Sequence, residues 1–261
     1  MRSRADVLVV GSGGFVGSRL VPELRRRGFE VACATHRPRP GAGELAVDVG
    51  DRASVAALFA AVAPRAVVHL AAIAHHRPAH PGEYDRVNHH GVRHVLDACG
   101  SGVERLVVFS SASVYGAAGR TGPVREDDER RPVTPYAQSK ARAEDACFAA
   151  AGGGPACVVL RPCTVYASGW LLGVRKRVYV PGSGGRLLLR VPGRQPRFSL
   201  CAVVHTCDAV ELALRGALPP GAYNVSDGEP YLQCEVAAAM DRDDGRRLRV
   251  VLPRAGARAA L

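Results

Sequence analysis

Lysine is almost missing from this chain. Of its 35 basic residues only Lys140 and Lys176 are not arginine. Aromatic residues are scarce too, at 5%, and no basic stripe interleaved with aromatics can be found, so the net charge of +11 does not point to nucleic acid. With the arginines spread widely, a small anionic substrate is the simpler partner. No apolar run approaches the roughly 18 residues of a membrane span. The first, Val7-Leu8-Val9-Val10, stops at Gly11 and is too short for the core of a signal peptide. The expectation is a cytoplasmic protein with no membrane partner. Paired cysteines are also lacking: the eight, from Cys33 to Cys234, stand singly with no CxxC. Most lie among alanine, valine and leucine, where a free thiol behaves as a small buried hydrophobe, which argues against a disulfide framework or a structural zinc.

What is present reads as a folded α/β protein. Hydrophobic residues make up 47% and charged ones 23%, the balance of a chain with a core, and 261 residues suffice for one large domain plus a cap. Strands are predicted at Asp6–Val10, Glu30–Thr35, Leu45–Val49, Ala66–Leu70, Arg105–Ser110 and Cys157–Leu160. Helices are predicted at Phe15–Arg27, Arg52–Val62, Tyr84–Cys99 and Pro135–Ala151. The strand runs are continuous and valine-rich rather than alternating, as parallel strands covered on both faces should be. Alternation of strand and helix with short links predicts a Rossmann-like, doubly wound parallel sheet. Beyond Pro162 the pattern loosens. Residues 169–196 read as a loop-rich insertion, followed by a strand at Phe198–Val204, a helix at Cys207–Ala217, a strand at Ala222–Val225 and a helix at Leu232–Met240. This divides the chain into a dinucleotide-binding domain over 1–165 and a small, shortened substrate-binding part over 166–261, with 198–225 returning to the main domain.

Three groups of residues carry chemistry. Gly11-Ser12-Gly13-Gly14-Phe15-Val16-Gly17 follows the first strand and opens the first helix, where Gly11, Gly14 and Gly17 allow a tight turn and close approach of the backbone to a pyrophosphate. The second strand ends in Thr35-His36-Arg37, with no carboxylate for the ribose hydroxyls of NAD and a guanidinium available for a 2′-phosphate. NADP is therefore favoured over NAD. Tyr136 and Lys140 lie four apart on a helix and so project to one place, where an ammonium lowers the phenol from its ordinary value near ~10 into usable acid/base range. Upstream, Ser110-Ser111-Ala112-Ser113 sets hydroxyls at the C-terminal end of a strand, where parallel sheets bind ligands.

With these motifs the chain resembles the extended short-chain dehydrogenases/reductases, the group of nucleotide-sugar epimerases, dehydratases and ketoreductases. Further matches run in order along it: Asp48-Val49-Gly50-Asp51, Val68-His69-Leu70-Ala71-Ala72, Asn88 to Gly91, Leu160-Arg161-Pro162, Val204-His205 with Asp208, and Tyr223-Asn224-Val225. The resemblance implies that Tyr136 is the general acid/base, that Lys140 tunes it and holds the nicotinamide ribose, and that Ser111 polarises the substrate oxygen. It implies cofactor contacts from Gly11, Gly14, Phe15, Val16, Gly17, Arg37, Asp48, Val49, Leu70, Ala71, Ala72, Ser110 and Pro162, with Asn88 fixing the geometry and Ser113 touching substrate. It also implies a homodimer and a nucleotide-diphosphate sugar as substrate, gripped by arginines of the insertion, Arg190 and Arg197 among them.

The chain departs from the family pattern in three ways. Tyr166-Ala167-Ser168-Gly169 replaces the usual Tyr-Gly-Pro-Gly, the C-terminal part is short, and Ala112-Ser113 stand where 4,6-dehydratases carry an Asp–Glu pair. Dehydration, lacking its proton carriers, ranks last. His75, His76, His80, His89, His90 and His94 raise the question of a metal. His90 and His94 would share a helical face, but no carboxylate or thiol is interleaved at ligand spacing, so no metal is expected. The leading expectation is an NADP(H)-dependent ketoreductase of a nucleotide-linked deoxysugar. The alternative is an NAD-dependent nucleotide-sugar epimerase, and a non-catalytic dinucleotide-binding protein is the remote third.

Overall fold

The computed structural model describes residues 5–74, 79–116, 122–179, 187–190, 196–244 and 248–251. The chain divides into two compact units, Met1–Pro162 with Val204–Val225, and Cys163–Val203 with Ser226–Leu261.

In the first unit the runs that lack polar alternation form the middle of the sheet. Val7–Val10 (β1) and Ala66–His69 (β4) are buried at every position. Flanking them are Val31–Thr35 (β2), Glu44–Ala46 (β3), Arg105–Phe109 (β5), Ala156–Pro162 (β6) and Gly221–Val225 (β11). All pair in parallel, in the order β3-β2-β1-β4-β5-β6-β11. This is the expected Rossmann-like, doubly wound sheet. The order reverses between β1 and β4, and a doubly wound sheet takes its ligand in the crevice opened there at the carboxyl ends of the strands. Leu8, Val10, Val67, Leu106, Val108 and Val159 join helix residues such as Val55, Val92 and Val95 in one apolar core. Each fully buried side chain of this size contributes about 1.5–3 kcal/mol.

The helices start where local chemistry says they should. The Asp51 carboxylate caps Arg52–Val62 (α2) by accepting from the Ala53 amide at 3.0 Å. Thr134 does the same for Pro135–Ala149 (α5) at the Ala137 amide, 3.1 Å, with Pro135 in the first helical position. Gly17–Arg26 (α1) follows the glycine turn, and Val203–Leu214 (α7) leads towards β11. The single helix expected over Tyr84–Cys99 is instead three pieces: Pro81–Tyr84 (α3), a π-helical turn Asp85–His90, and Gly91–Cys99 (α4). Helical periodicity in the sequence cannot register a widened turn. Single turns of 3₁₀ helix occur at Gly100–Gly102 and Ala112–Tyr115.

The second unit has its own core of Val174, Val178, Tyr179, Leu200, Val236, Ala237 and Met240. The insertion expected to be loop contains a helix, Leu172–Val178 (α6), whose Val174 and Val178 are buried one turn apart. The basic run between those valines hides their spacing in the sequence. The strand expected at Phe198–Val204 is broken into Arg197–Phe198 (β9) and Leu200–Ala202 (β10), because the two halves have different partners. Strand β10 pairs with Thr164–Tyr166 (β7), and β9 with Tyr231–Leu232 (β12). Asp227 fixes the break, its carboxylate accepting from the Ala202 amide at 2.6 Å and its own amide donating to the Leu200 carbonyl at 2.8 Å. Gln233–Asp244 (α8) follows, and Leu187–Arg190 (β8) pairs with Leu248–Val251 (β13). No helix among the described residues is long and apolar enough to cross a membrane.

Candidate active site

The glycine turn shows why its residues cannot be larger. Gly11 has φ +96°, and a Cβ there would lie 2.6 Å from the Ala71 amide nitrogen. A Cβ on Gly17 would lie 2.4 Å from the Gly11 carbonyl oxygen. The Gly11 and Ser12 amides both donate to the Ala34 carbonyl, at 2.7 and 3.1 Å, while the Leu70 and Ala71 amides donate to that of Val10, at 2.8 and 3.0 Å. The ends of β1, β2 and β4 are thus stitched together below the turn. Gly13 and Gly14 are exposed, Phe15 and Val16 half-buried. Helix α1 starts with no side-chain cap and no acidic residue in its first turn. Its N-terminal amides and dipole therefore suit an anion, and the turn fits a dinucleotide pyrophosphate.

At the end of β2, Thr35 is buried against the turn; a Cβ on Gly13 would meet its Oγ1 at 3.0 Å. His36 and Arg37 are exposed, and Arg37 has no hydrogen-bond or ion-pair partner among the described residues. The Asp48 carboxylate accepts from the Gly50 amide at 2.8 Å and from Arg86 at 3.2 Å. Burial opposes its ionisation, but these two donors hold it below the ordinary carboxylate value. The neighbouring Val49 carbonyl is taken by His94 at 2.9 Å. Ala72 is exposed, while Leu70 and Ala71 are half-buried.

Helix α5 carries the acid/base pair. Because Thr134 and Pro135 start the helix at a definite residue, Tyr136 and Lys140 take one face, with Glu144 a turn further on. The Tyr136 ring stands edge-on to Tyr84, centroids 6.2 Å apart, and its hydroxyl hydrogen-bonds Ser111. Burial pushes Tyr136 up to about 12, with the Ser111 bond pulling the other way. The expected lowering by Lys140 is not found within the protein itself: the Lys140 ammonium donates to the Phe109 carbonyl at 2.6 Å. Lys140 is in turn brought down to about 8 by burial, against the pull of Glu144. Charge therefore disappears from Lys140 more readily than it forms on Tyr136.

Around this pair the remaining expected residues divide. Asn88 is fully buried and spends its whole amide on structure: Oδ1 accepts from the Ile73 amide at 2.8 Å, and Nδ2 donates to the Ile73 carbonyl and to Ser139 Oγ, each at 3.1 Å. It ties the segment after β4 to α5. The Ser111 Oγ accepts from the Ser113 amide at 3.2 Å, while the Ser113 Oγ is buried with no partner among the described residues. The Ser110 hydroxyl is turned inward onto Glu144, which leaves only its backbone for a cofactor. Pro162 is buried at the end of β6 opposite Val225. Arg190 lies in β8, and Arg197 is exposed in β9, both in the second unit; His75 and His76 fall outside the described residues.

Sequence reasoning missed the polar core behind the site. Glu144 is fully buried and receives Arg161 Nη2 at 2.7 Å and Arg130 Nη1 at 3.0 Å besides Ser110. Arg161 also donates to the Tyr115 hydroxyl at 2.7 Å, which donates to Asn224 Oδ1 at 2.8 Å. The one signal for Glu144 was its place in the Tyr136–Lys140 row. His69, buried at the end of β4, was likewise without a role. Burial, and then Lys140, push it down to about 3, so it stays neutral.

A glycine turn at a switch point, with Ser, Tyr and Lys converging at the strand ends, defines a nicotinamide-dinucleotide enzyme of the short-chain dehydrogenase/reductase class. The model of the NAD dependent epimerase/dehydratase family matches residues 7–225, and the chain belongs to that family. It is 31% identical over 245 residues to 2-alkyl-3-oxoalkanoate reductase of Stenotrophomonas maltophilia, covering 86% of this chain and 71% of the reductase. It is 33% identical over 173 residues to UDP-glucose 4-epimerase of Vibrio cholerae, covering 63% of this chain but only 53% of that enzyme. Among solved structures, MoeE5 in complex with UDP-glucose and NAD superposes with a TM-score of 0.75 at 31% identity, over 95% of this chain and 85% of that one.

Proposed function

We propose that the chain is an NADP(H)-dependent ketoreductase acting on a nucleotide-linked deoxysugar, in the cytoplasm and as a homodimer. The observation that carries the cofactor choice is the end of β2: Thr35 offers no carboxylate and is turned into the glycine turn, while Arg37 stands exposed and unpartnered among the described residues. A guanidinium so placed suits a 2′-phosphate. Gly11, Gly14, Gly17 and the start of α1 would hold the pyrophosphate, Asp48 and Val49 the adenine edge, Leu70, Ala71, Ala72 and Pro162 the remainder, and Lys140 the nicotinamide ribose. When bound, the nicotinamide supplies or accepts the hydride. Tyr136 delivers the proton to the carbonyl oxygen, with Ser111 donating a second hydrogen bond to that oxygen. Ser113 contacts the sugar, and Arg190 and Arg197 serve its diphosphate, for which the planar fork of arginine is fitted.

The similarity to a reductase over most of the chain supports reduction. A second reading, an NAD-dependent epimerase, is favoured by MoeE5, whose structure holds NAD and UDP-glucose. The cofactor separates the two, since an epimerase regenerates its NAD in each turnover and retains it. Binding of NADPH and NADH to the wild type and to Arg37→Ala decides. NADPH affinity should fall by about 1.5–3 kcal/mol in the variant with little change for NADH. Equal binding of both by the wild type, or NAD released on denaturation, moves the function to the epimerase.

A further inference from the structure

His89 and His90 share one carboxylate, that of Asp85, whose reach to His90 an α-helical spacing hides. On an ideal α-helix, residues five apart point to different sides, and Asp85 is no partner for His90. But residues 85–90 form a π-helical turn. The i→i+5 hydrogen bonding of that turn widens it, so that the residues four and five positions on both fall beside the first. His89 Nδ1 lies 3.1 Å from Asp85 Oδ1, and His90 Nε2 lies 3.4 Å from Asp85 Oδ2. All three ligand atoms lie within 4.8 Å of one another. The rings are 4.7 Å apart, centroid to centroid, and tilted by 32°, both turned to the same carboxylate. His94, the partner that helical spacing had offered to His90, is occupied with the Val49 carbonyl.

We propose that Asp85, His89 and His90 form a mononuclear site for a divalent cation of zinc type, with the remaining position open to water. Zinc bonds of about 2.0–2.2 Å to nitrogen and oxygen set tetrahedral ligand–ligand edges of about 3.3–3.5 Å. The 3.4 Å between His90 Nε2 and Asp85 Oδ2 already stands at that spacing, and His89 Nδ1, now 3.1 Å from Oδ1, has to turn from that oxygen towards Oδ2 to complete the ligand set. Two imidazoles and a carboxylate suit zinc better than magnesium or calcium, which take oxygen. Arg142 Nε donates to Asp85 Oδ1 at 2.9 Å. It thereby orients the carboxylate and leaves Oδ2 for the cation, as outer-shell partners of metal ligands do. Its positive charge also weakens the site, which places the affinity at about micromolar rather than that of a buried structural zinc. The same π turn carries Asn88, which holds Ile73 and Ser139. A cation bridging residues 85, 89 and 90 would fasten that turn, and so acts on the geometry behind Tyr136 without touching substrate.

The test uses the full chain, stripped with a chelator and titrated with zinc by calorimetry. The wild type should bind a single zinc per chain at about micromolar Kd. His90→Gln, at a half-buried position, should weaken binding by about tenfold or more, Asp85→Asn likewise, and His94→Gln should leave it unchanged. Cobalt in place of zinc should give ligand-field bands without a thiolate charge-transfer band. Absence of saturable binding, equal affinity in His90→Gln, or a thiolate band from the cysteines would each overturn the site.

Discussion

Replacing Lys140 with methionine tests whether the ammonium at the centre of the site is as strained electrostatically as its burial implies. Lys140 is 3% exposed, and burial lowers it from 10.5 to about 8. At neutral pH it is charged in both folded and unfolded chains, so the whole desolvation penalty falls on the folded state. Two and a half units correspond to about 3 kcal/mol. Between about pH 8 and 10.5 the folded protein has released the proton while the unfolded chain still holds it, and stability rises with pH. At about pH 9.5 the residual penalty is about 1.4 kcal/mol, so the wild type should gain about 2 kcal/mol on Lys140→Met between about pH 7 and 9.5. The hydrogen bond to the Phe109 carbonyl is lost in the variant at both pH values and largely drops out of the comparison. Tyr136, up at about 12, and His69, down at about 3, do not titrate in this window. The assay is urea unfolding of both proteins followed by circular dichroism at the two pH values. A stability difference that does not change with pH refutes the reasoning, because it means the lysine sits in a solvated environment.

Tyr136→Phe removes the proton carrier and its hydrogen bond with Ser111 while keeping the ring, so steady-state turnover should fall by about a hundredfold or more with dinucleotide affinity unchanged by fluorescence titration. A loss of less than about fivefold removes Tyr136 from the mechanism. Glu144→Gln leaves Arg161, itself 3% exposed, without its counter-charge. It should cost about 3–5 kcal/mol in chemical unfolding, and a cost below about 1 kcal/mol contradicts the buried pairing. Gly17→Ala forces a methyl to 2.4 Å from the Gly11 carbonyl oxygen, and the turn must open. Calorimetry should show dinucleotide affinity reduced by about tenfold or more, and an unchanged Kd means that the turn does not hold the pyrophosphate.

Much of the fold lies in short-range signals, and these are readable without coordinates. Val7–Val10 and Ala66–His69 are apolar at every position because both sheet faces are covered. Asp51 and Thr134 cap their helices through atoms two or three residues away, and Gly11 and Gly17 mark a turn that admits no side chain. The alignment of Tyr136 with Lys140 follows from helical period alone. The residues that tertiary structure alone decided depend on remote neighbours. Glu144 becomes a buried anion only because Ser110, Arg130 and Arg161 arrive from a strand end, a loop and the next strand. The break at Ser199 exists because the strands on either side of it find different partners. The widened turn at Asp85–His90 changes which side chains share a face, and no α-helical count along the sequence can register it. The proton affinities of Tyr136 and Lys140 run opposite to what their spacing suggests, since the lysine spends its charge on the Phe109 carbonyl and burial acts on each group separately. Local propensity sets the elements of this chain, but solvation and charge are properties of the assembled interior, fixed by atoms that are distant along the sequence.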